Sequence, residues 1–310
     1  MSVAYAHAGE VHDPQVAENL WLHIAFDPVF LIPLVIALFY ARGWWRHHRA
    51  GSRLFPPWRA LAFMTGLLVV AISLLSGIDV LADRSFAFHM VQHELLTLVA
   101  VPLLLLGAPF VLTVRGIPRP LREWIFIPLA KNFLVRRAVR FLLSPLPAFI
   151  LFELNLLVWH FPAFYDLAIA DPFWHYMEHF CFMAGAALFW WNIITPHPFP
   201  PRLNLLVRAL MVFAVSVPGV LLSAIFSFAQ TVLYDSYANL DGFMGLTMLQ
   251  DQRLGGVLMW TAGTVIRLPV IIGLLIMYAR QEEAKEPYRM SGQSGGKTKP
   301  KRGSALLPTS

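Results

Sequence analysis

Two histidine pairs at helical spacing, His89/His93 and His175/His179, are the residues of this chain best suited to holding a metal ion. On a helix, residues four apart share a face, about 40° apart in projection and one turn apart in depth. Two imidazoles so placed can serve one ion, and imidazole suits copper, zinc, iron or nickel. His160 joins them through a short connection, HFPAFYDLAIADPFWH, so three consecutive helix ends bring five imidazoles to one depth. Glu178 projects on the same face as His175 and His179, where it can orient an imidazole or join the ion directly. Glu94 follows His93 but lies about 100° further round the helix, and Asp166 supplies a supporting carboxylate in the connection. Met90, Met177, Met183, Met244 and Met248 fall near the same level, and thioethers tilt the choice toward Cu(I). Each of these methionines also has an ordinary use as core filler. Haem b held between two histidines on facing helices is the second cofactor reading.

A single histidine at a membrane interface is commonly an aromatic that snorkels toward water. Two pairs and a fifth residue at one depth, among few other intramembrane polar groups, point instead to a site. Deeper in the apolar runs lie Glu153, two turns inward of His160, and Arg267 near mid-span. Arg267 needs a partner, and Glu153 or Glu94 could reach a similar depth; an Arg267–Glu153 intramembrane ion pair that locks helices together is the expectation. His47, His48 and His197 fall in polar connections and read as solvated surface. The single Cys181 excludes an intrachain disulfide and a CxxC metal site. No enzyme signature is present: His93-Glu94-Leu95-Leu96-Thr97 opens like a zincin motif but lacks the second histidine. The last apolar run has no lysine for a retinal Schiff base, and no glycine-rich nucleotide loop occurs. The expectation is a protein that is not an enzyme.

The elements that must position these residues are membrane helices. Of 310 residues, 57% are hydrophobic and 14% charged, about half the charge of a soluble domain. Apolar runs near 29–41, 60–78, 86–108, 141–160, 173–194, 205–228 and 255–279 can each cross a hydrocarbon core of roughly 30 Å. The first is short and is expected to start near Leu22. The net charge of +6 does not call for nucleic acid, because the basic residues sit in short loops between apolar runs. Of 24 Lys and Arg, 21 fall in the first, third and fifth connections and the C-terminal tail. The opposite side keeps Arg84 and Arg253 and collects Asp79, Asp83, Asp166, Asp171, Asp235, Asp241 and Asp251. The positive-inside rule then gives an all-α, polytopic protein of seven transmembrane helices, N-terminus outside and C-terminus cytoplasmic. Residues 1–21 form an outer N-terminal tail, 22–280 the seven-span membrane domain, and 281–310 a disordered cytoplasmic tail. Trp44–Trp45 and Trp190–Trp191 fall at inner span ends, and Trp159 and Trp174 at outer ends, as an interfacial aromatic belt requires.

Three stretches taken in order, FDPVFLIPLVIALFYARG (26–43), HMVQHELLTLVAVPLLLLGAP (89–109) and WHFPAFYDLAIADPFWHYMEHF (159–180), carry a resemblance. They are similar to the CtaG-like, caa-type family of cytochrome c oxidase assembly factors, over roughly residues 20–280. The resemblance implies a multi-pass protein of the bacterial cytoplasmic (inner) membrane that matures a haem–copper oxidase and helps copper reach it. Its partners would be oxidase subunits or another copper chaperone, together with the lipid bilayer, and no nucleic acid. By position, the motif histidines are His89, His93, His160, His175 and His179. Glu94 stands where some relatives carry methionine, a departure from a purely soft ligand set.

Overall fold

The computed structural model describes residues 31–50, 54–238 and 245–294. Among them every regular element is helical. The start of the first run near Leu22, the histidines His7, His12 and His23, Met244 and Asp241 lie outside the described residues. Helix α1 spans Leu31–Arg49, α2 Pro57–Leu75, α3 Gly77–Ala82 and α4 Phe86–Leu106. Helix α5 spans Pro109–Gly116, and a short helical stretch, residues 119–131, leads to α6, Phe133–Leu142. Then come α7, Pro145–Trp159, α8, Pro162–Ala170, α9, Pro172–Ile194, and α10, Leu205–Ser227. A single turn, α11 (Asp235–Ala238), precedes the long α12, Met248–Ser294.

Four helices, α2, α4, α10 and α12, are long and apolar enough to cross a membrane. A fifth span results if α6 and α7, bent by 69° to one another, are taken together. That bend falls at Ser144, which is extended because Pro145 follows it. The expected fourth run therefore begins as a straight helix at Pro145 rather than near residue 141. Helices α1 and α9 occupy the two remaining expected runs without meeting the same standard. Arg42, Arg46 and Arg49 interrupt the first, and His175, Glu178, His179 and Asn192 the second. Helix α12 does not stop near 280: it continues to Ser294, well into the stretch expected to be disordered. Glu282 and Lys285, paired at 2.7 Å on adjacent turns, support that extension.

Small residues set how closely the helices approach. A side chain on Gly43 would overlap the Leu112 carbonyl oxygen, and one on Gly116 the Phe39 carbonyl oxygen. Helices α1 and α5 therefore cross backbone to backbone, as small residues allow in a bilayer. Gly255 plays the same part between α12 and α4, where a Cβ would overlap the Phe86 ring. The central core joins Leu98 and Val101 of α4, Phe152 of α7, Ala186, Phe189 and Trp190 of α9, and Val212 and Val215 of α10. A second cluster, Phe86, Met90, Tyr165, Phe226, Tyr234 and Tyr237, packs the end of the bundle where α4 and α9 begin. Trp190 and Trp191 are 2% and 7% exposed, so they are core side chains and not part of an aromatic belt. Trp159 is likewise buried at 6%.

Helix α4 changes register after its histidines. Residues Leu95–Ala100 are π-helical, and the Val101 amide donates to the Leu96 carbonyl five residues back. Pro102, without an amide hydrogen, follows directly and cannot restore the α pattern at the next position. A single π turn inside an α-helix commonly accompanies a functional site.

Candidate metal centre

The histidine helices are fixed at their first turns. Ser85 caps α4 by accepting from the Phe88 amide, and its hydroxyl donates to Asp251 Oδ1 at 2.6 Å. Asp251 Oδ2 also accepts from the Ala87 amide, so one buried carboxylate of α12 anchors the start of α4. A carboxylate is favoured there because it faces the positive end of the helix. Asp171 caps α9, accepting from the Phe173 and Trp174 amides, with Pro172 at the first helical position. One turn later come His175, Glu178 and His179. The third contributor, His160, is the residue that closes α7. Its Nδ1 lies 2.8 Å from the Leu156 carbonyl oxygen, which can only accept. Nδ1 therefore carries the hydrogen and Nε2 of the neutral ring keeps its lone pair. Tyr234 donates to the His160 carbonyl at 3.0 Å and stacks on Tyr165 at 3.8 Å, fixing this corner against the loops.

All five expected histidines converge. Ring centroids of His89 lie 4.3 Å from His93, 5.4 Å from His175 and 6.2 Å from His179. His93 and His160 are 6.3 Å apart. The tightest group is His89, His175, Glu178 and His179, whose potential ligand atoms all lie within 4.8 Å of one another. Donors of a tetrahedral ion at about 2.0–2.1 Å are separated by about 3.3–3.5 Å. Small side-chain rotations would close the remaining gap, so these residues fit a metal ion. Glu178 is fully buried, with its carboxylate oxygens 3.4 Å from His89 Nε2 and 3.7 Å from His93 Nε2. It sits inside the group and not merely behind an imidazole. His179 Nε2 is buried with no hydrogen-bond partner, the condition of a ligand atom waiting for an acceptor of its lone pair. Only His175 is appreciably open, at 16% side-chain exposure, and Asp83 lies 4.0 Å from its Nδ1.

His93 stands between this group and a cavity of about 180 Å³. Its Nε2 is 2.9 Å from His89 Nε2, a contact that requires one ring to donate and the other to accept. Met90, His93, Glu94 and Thr97 line the cavity from α4, at spacings that place them on one helical face. His160 lines it from α7, Ser216 and Gly219 from α10, and Met259, Gly263 and Arg267 from α12.

The remaining expected residues are placed differently. Asp166 accepts from the Ser236 amide and hydroxyl, at 2.9 and 2.7 Å, and so fastens α11 to α8 instead of supporting an ion. No ion pair within 4 Å joins Arg267 to Glu153, whose buried oxygens have no hydrogen-bond partner. Arg267 is close enough to act electrostatically on both Glu153 and Glu94, and it shares the cavity with Glu94. Arg267 and Glu153 are therefore electrostatic neighbours without a direct contact. His47 is not solvated: it is 9% exposed, with Nδ1 2.7 Å from Arg115 Nη1. His48 stacks on Trp44 and His197 packs edge-on against Phe55, both away from the convergent histidines. Asp83, Asp251 and Met259 were not singled out from the sequence. Only the concentration of aspartates on the histidine side hinted at the first two.

Residues 38–281 match the model of the cytochrome c oxidase caa3 assembly factor family. The chain belongs to that family. It is also 29% identical, over 262 residues, to an uncharacterized protein of Mycobacterium leprae (strain TN), and 30% identical, over 260 residues, to one of Mycobacterium bovis (strain ATCC BAA-935 / AF2122/97). Each match covers 80% of this chain and 38% of the relative, so the chain spans well under half the length of these curated relatives. No solved structure matches.

Proposed function

We propose that this assembly factor binds copper at the His89, His175, Glu178, His179 group and passes it to an oxidase subunit. The observation that carries the reading is the convergence of those four buried donors within 4.8 Å. Among divalent first-row metals, an imidazole and carboxylate set binds Cu(II) most tightly, and imidazole also serves Cu(I). The family name supplies the client: a haem–copper oxidase needs copper inserted during assembly. The partly open His175, with Asp83 beside it, gives the ion an approach from one side. A ligand set reached through one exposed imidazole favours exchange one ligand at a time, without release of the free ion.

The proposal includes the topology of seven spans, with the histidine end on the outer side of a bacterial cytoplasmic membrane. The partition of Lys and Arg supports it, since 21 of 24 lie in connections on the other side or the C-terminal tail. On that reading the site sits level with the outer surface, where an acceptor subunit can reach it. The test has two arms. Protein purified in detergent should carry copper, and replacing His89 and His175 with alanine should lower its copper content. A strain lacking the gene should make oxidase deficient in copper. Normal oxidase copper in that strain would overturn the proposal. A copper transporter is the competing class, and it needs a polar path through the bundle. Arg267 stands in the cavity below the histidines, and its fixed positive charge opposes the passage of a cation.

A further inference from the structure

We infer that the cavity beneath the four-residue group is a second position for the same soft cation, built from His93, His160, Met90 and Met259. The inference rests on the copper reading of the upper group and extends it inward. His160 is 7% exposed, its Nδ1 hydrogen is committed to Leu156, and its Nε2 has no hydrogen-bond partner. It is thus a lone pair held in a cavity that the same ring lines. His93 offers two faces. Nε2 meets His89 in the upper group, while Nδ1 is buried and without a hydrogen-bond partner. An imidazole in that position can bridge two metal positions or change hands between them.

The spacing suits a Cu(I) ion. A metal about 2.0 Å from an imidazole nitrogen lies about 3 Å from the ring centre. Two rings on opposite sides of one ion are therefore about 6 Å apart, and His93 and His160 are separated by 6.3 Å. Met90 and Met259 line the same cavity from α4 and α12, and thioethers favour Cu(I) over harder cations. These methionines are 1% and 7% exposed, so a sulfur ligand there is screened from water. Arg267 sits about two turns further along α12 from Met259 and lines the same cavity. Its charge bars a cation from moving deeper, so the second position is a terminus and not a step in a channel. The upper group, with its partly open His175, would then receive Cu(I), and the lower position would retain it in the same oxidation state.

Anaerobic titration of the full-length detergent-solubilised protein with Cu(I), against a chromophoric chelator, tests this directly. Wild type should bind two equivalents. Met259→Leu, which keeps the size of the side chain, should bind one. His160→Gln should also bind one, and His175→Ala should retain the lower equivalent. X-ray absorption of the two-equivalent form should contain copper–sulfur scattering that Met259→Leu diminishes. A single equivalent in wild type, abolished by His175→Ala and untouched by Met259→Leu, would overturn the second position while leaving the proposed function standing. Two equivalents that persist in both Met259→Leu and His160→Gln would also overturn it. No bound copper at all would overturn the proposed function itself.

Discussion

The indole N–H of Trp190 donates to the carbonyl oxygen of Thr97, 3.0 Å away across the α4–α9 interface. In an unbroken α-helix that carbonyl would be taken by the amide of Val101. The π turn redirects the Val101 amide to Leu96, which leaves the Thr97 oxygen free and buried. Trp190 satisfies it, so the register shift and the indole are two halves of one feature. The consequence for the site is positional. The shift lies immediately below His93, and the bond ties α4 to α9, the two helices that supply four of the five histidines.

Trp190→Phe should therefore weaken the protein by more than the lost ring area. It leaves a buried carbonyl without a donor, which costs about 1–3 kcal/mol. Thermal unfolding in detergent should move down by several degrees, and copper should be held more weakly as α4 and α9 loosen. Thr97→Ala, which keeps the carbonyl, should affect this bond little. Equal melting of Trp190→Phe and wild type would show that the bond is unimportant.

Much of the site was legible in the sequence, because helical period alone places His89 with His93 and His175 with Glu178 and His179. Azimuth within one helix follows from spacing, whereas azimuth between helices does not. That is why Arg267 and Glu153 were expected to pair and do not touch, and why Asp166 turned out to fasten a loop. Depth was also read without neighbours for Trp190 and Trp191: tandem tryptophans at a span end resemble an interfacial belt, yet packing from α4, α7 and α10 covers them. The π turn was not legible at all. It depends jointly on Pro102 and on a donor nearly a hundred residues away.

Glu178 separates a true donor from a structural acid. Glu178→Gln preserves shape and removes the carboxylate that faces His89 and His93. Copper affinity, measured by chelator competition, should fall by about 10–100-fold, the range seen for perturbed metal sites. Asp166→Asn should leave affinity unchanged, since that carboxylate serves Ser236. Equal affinity in Glu178→Gln and wild type would remove the carboxylate from the ligand set.

The glycine crossing of α1 and α5 makes a contrast available in a single protein. Gly43→Leu must push α5 away, because a Cβ there would overlap the Leu112 carbonyl. Folded protein recovered from membranes, judged by a monodisperse gel-filtration peak, should drop severalfold. Gly273→Ala, where no atom lies within 4 Å of the new carbon, should be recovered at wild-type level or better. Loss of both variants alike would mean that glycine serves flexibility here and not close approach.

Arg267→Met leaves buried carboxylates without their neighbouring cation, and breaking one side of such an arrangement can cost about 3 kcal/mol or more. Glu94 lines the same cavity as Arg267, while Glu153 does not, so the two acids should respond differently. Adding Glu94→Gln to Arg267→Met should restore most of the lost thermal stability, and adding Glu153→Gln should restore less. The interaction energy from each double-mutant cycle reports the coupling directly, provided that each single substitution introduces no new contact. A larger coupling for Glu153 would reverse the assignment and return Arg267 to the pairing expected from depth alone. Absence of coupling to either acid would mean that the guanidinium is satisfied by backbone carbonyls. In that case its role in the cavity would be to repel cations and not to neutralise an acid.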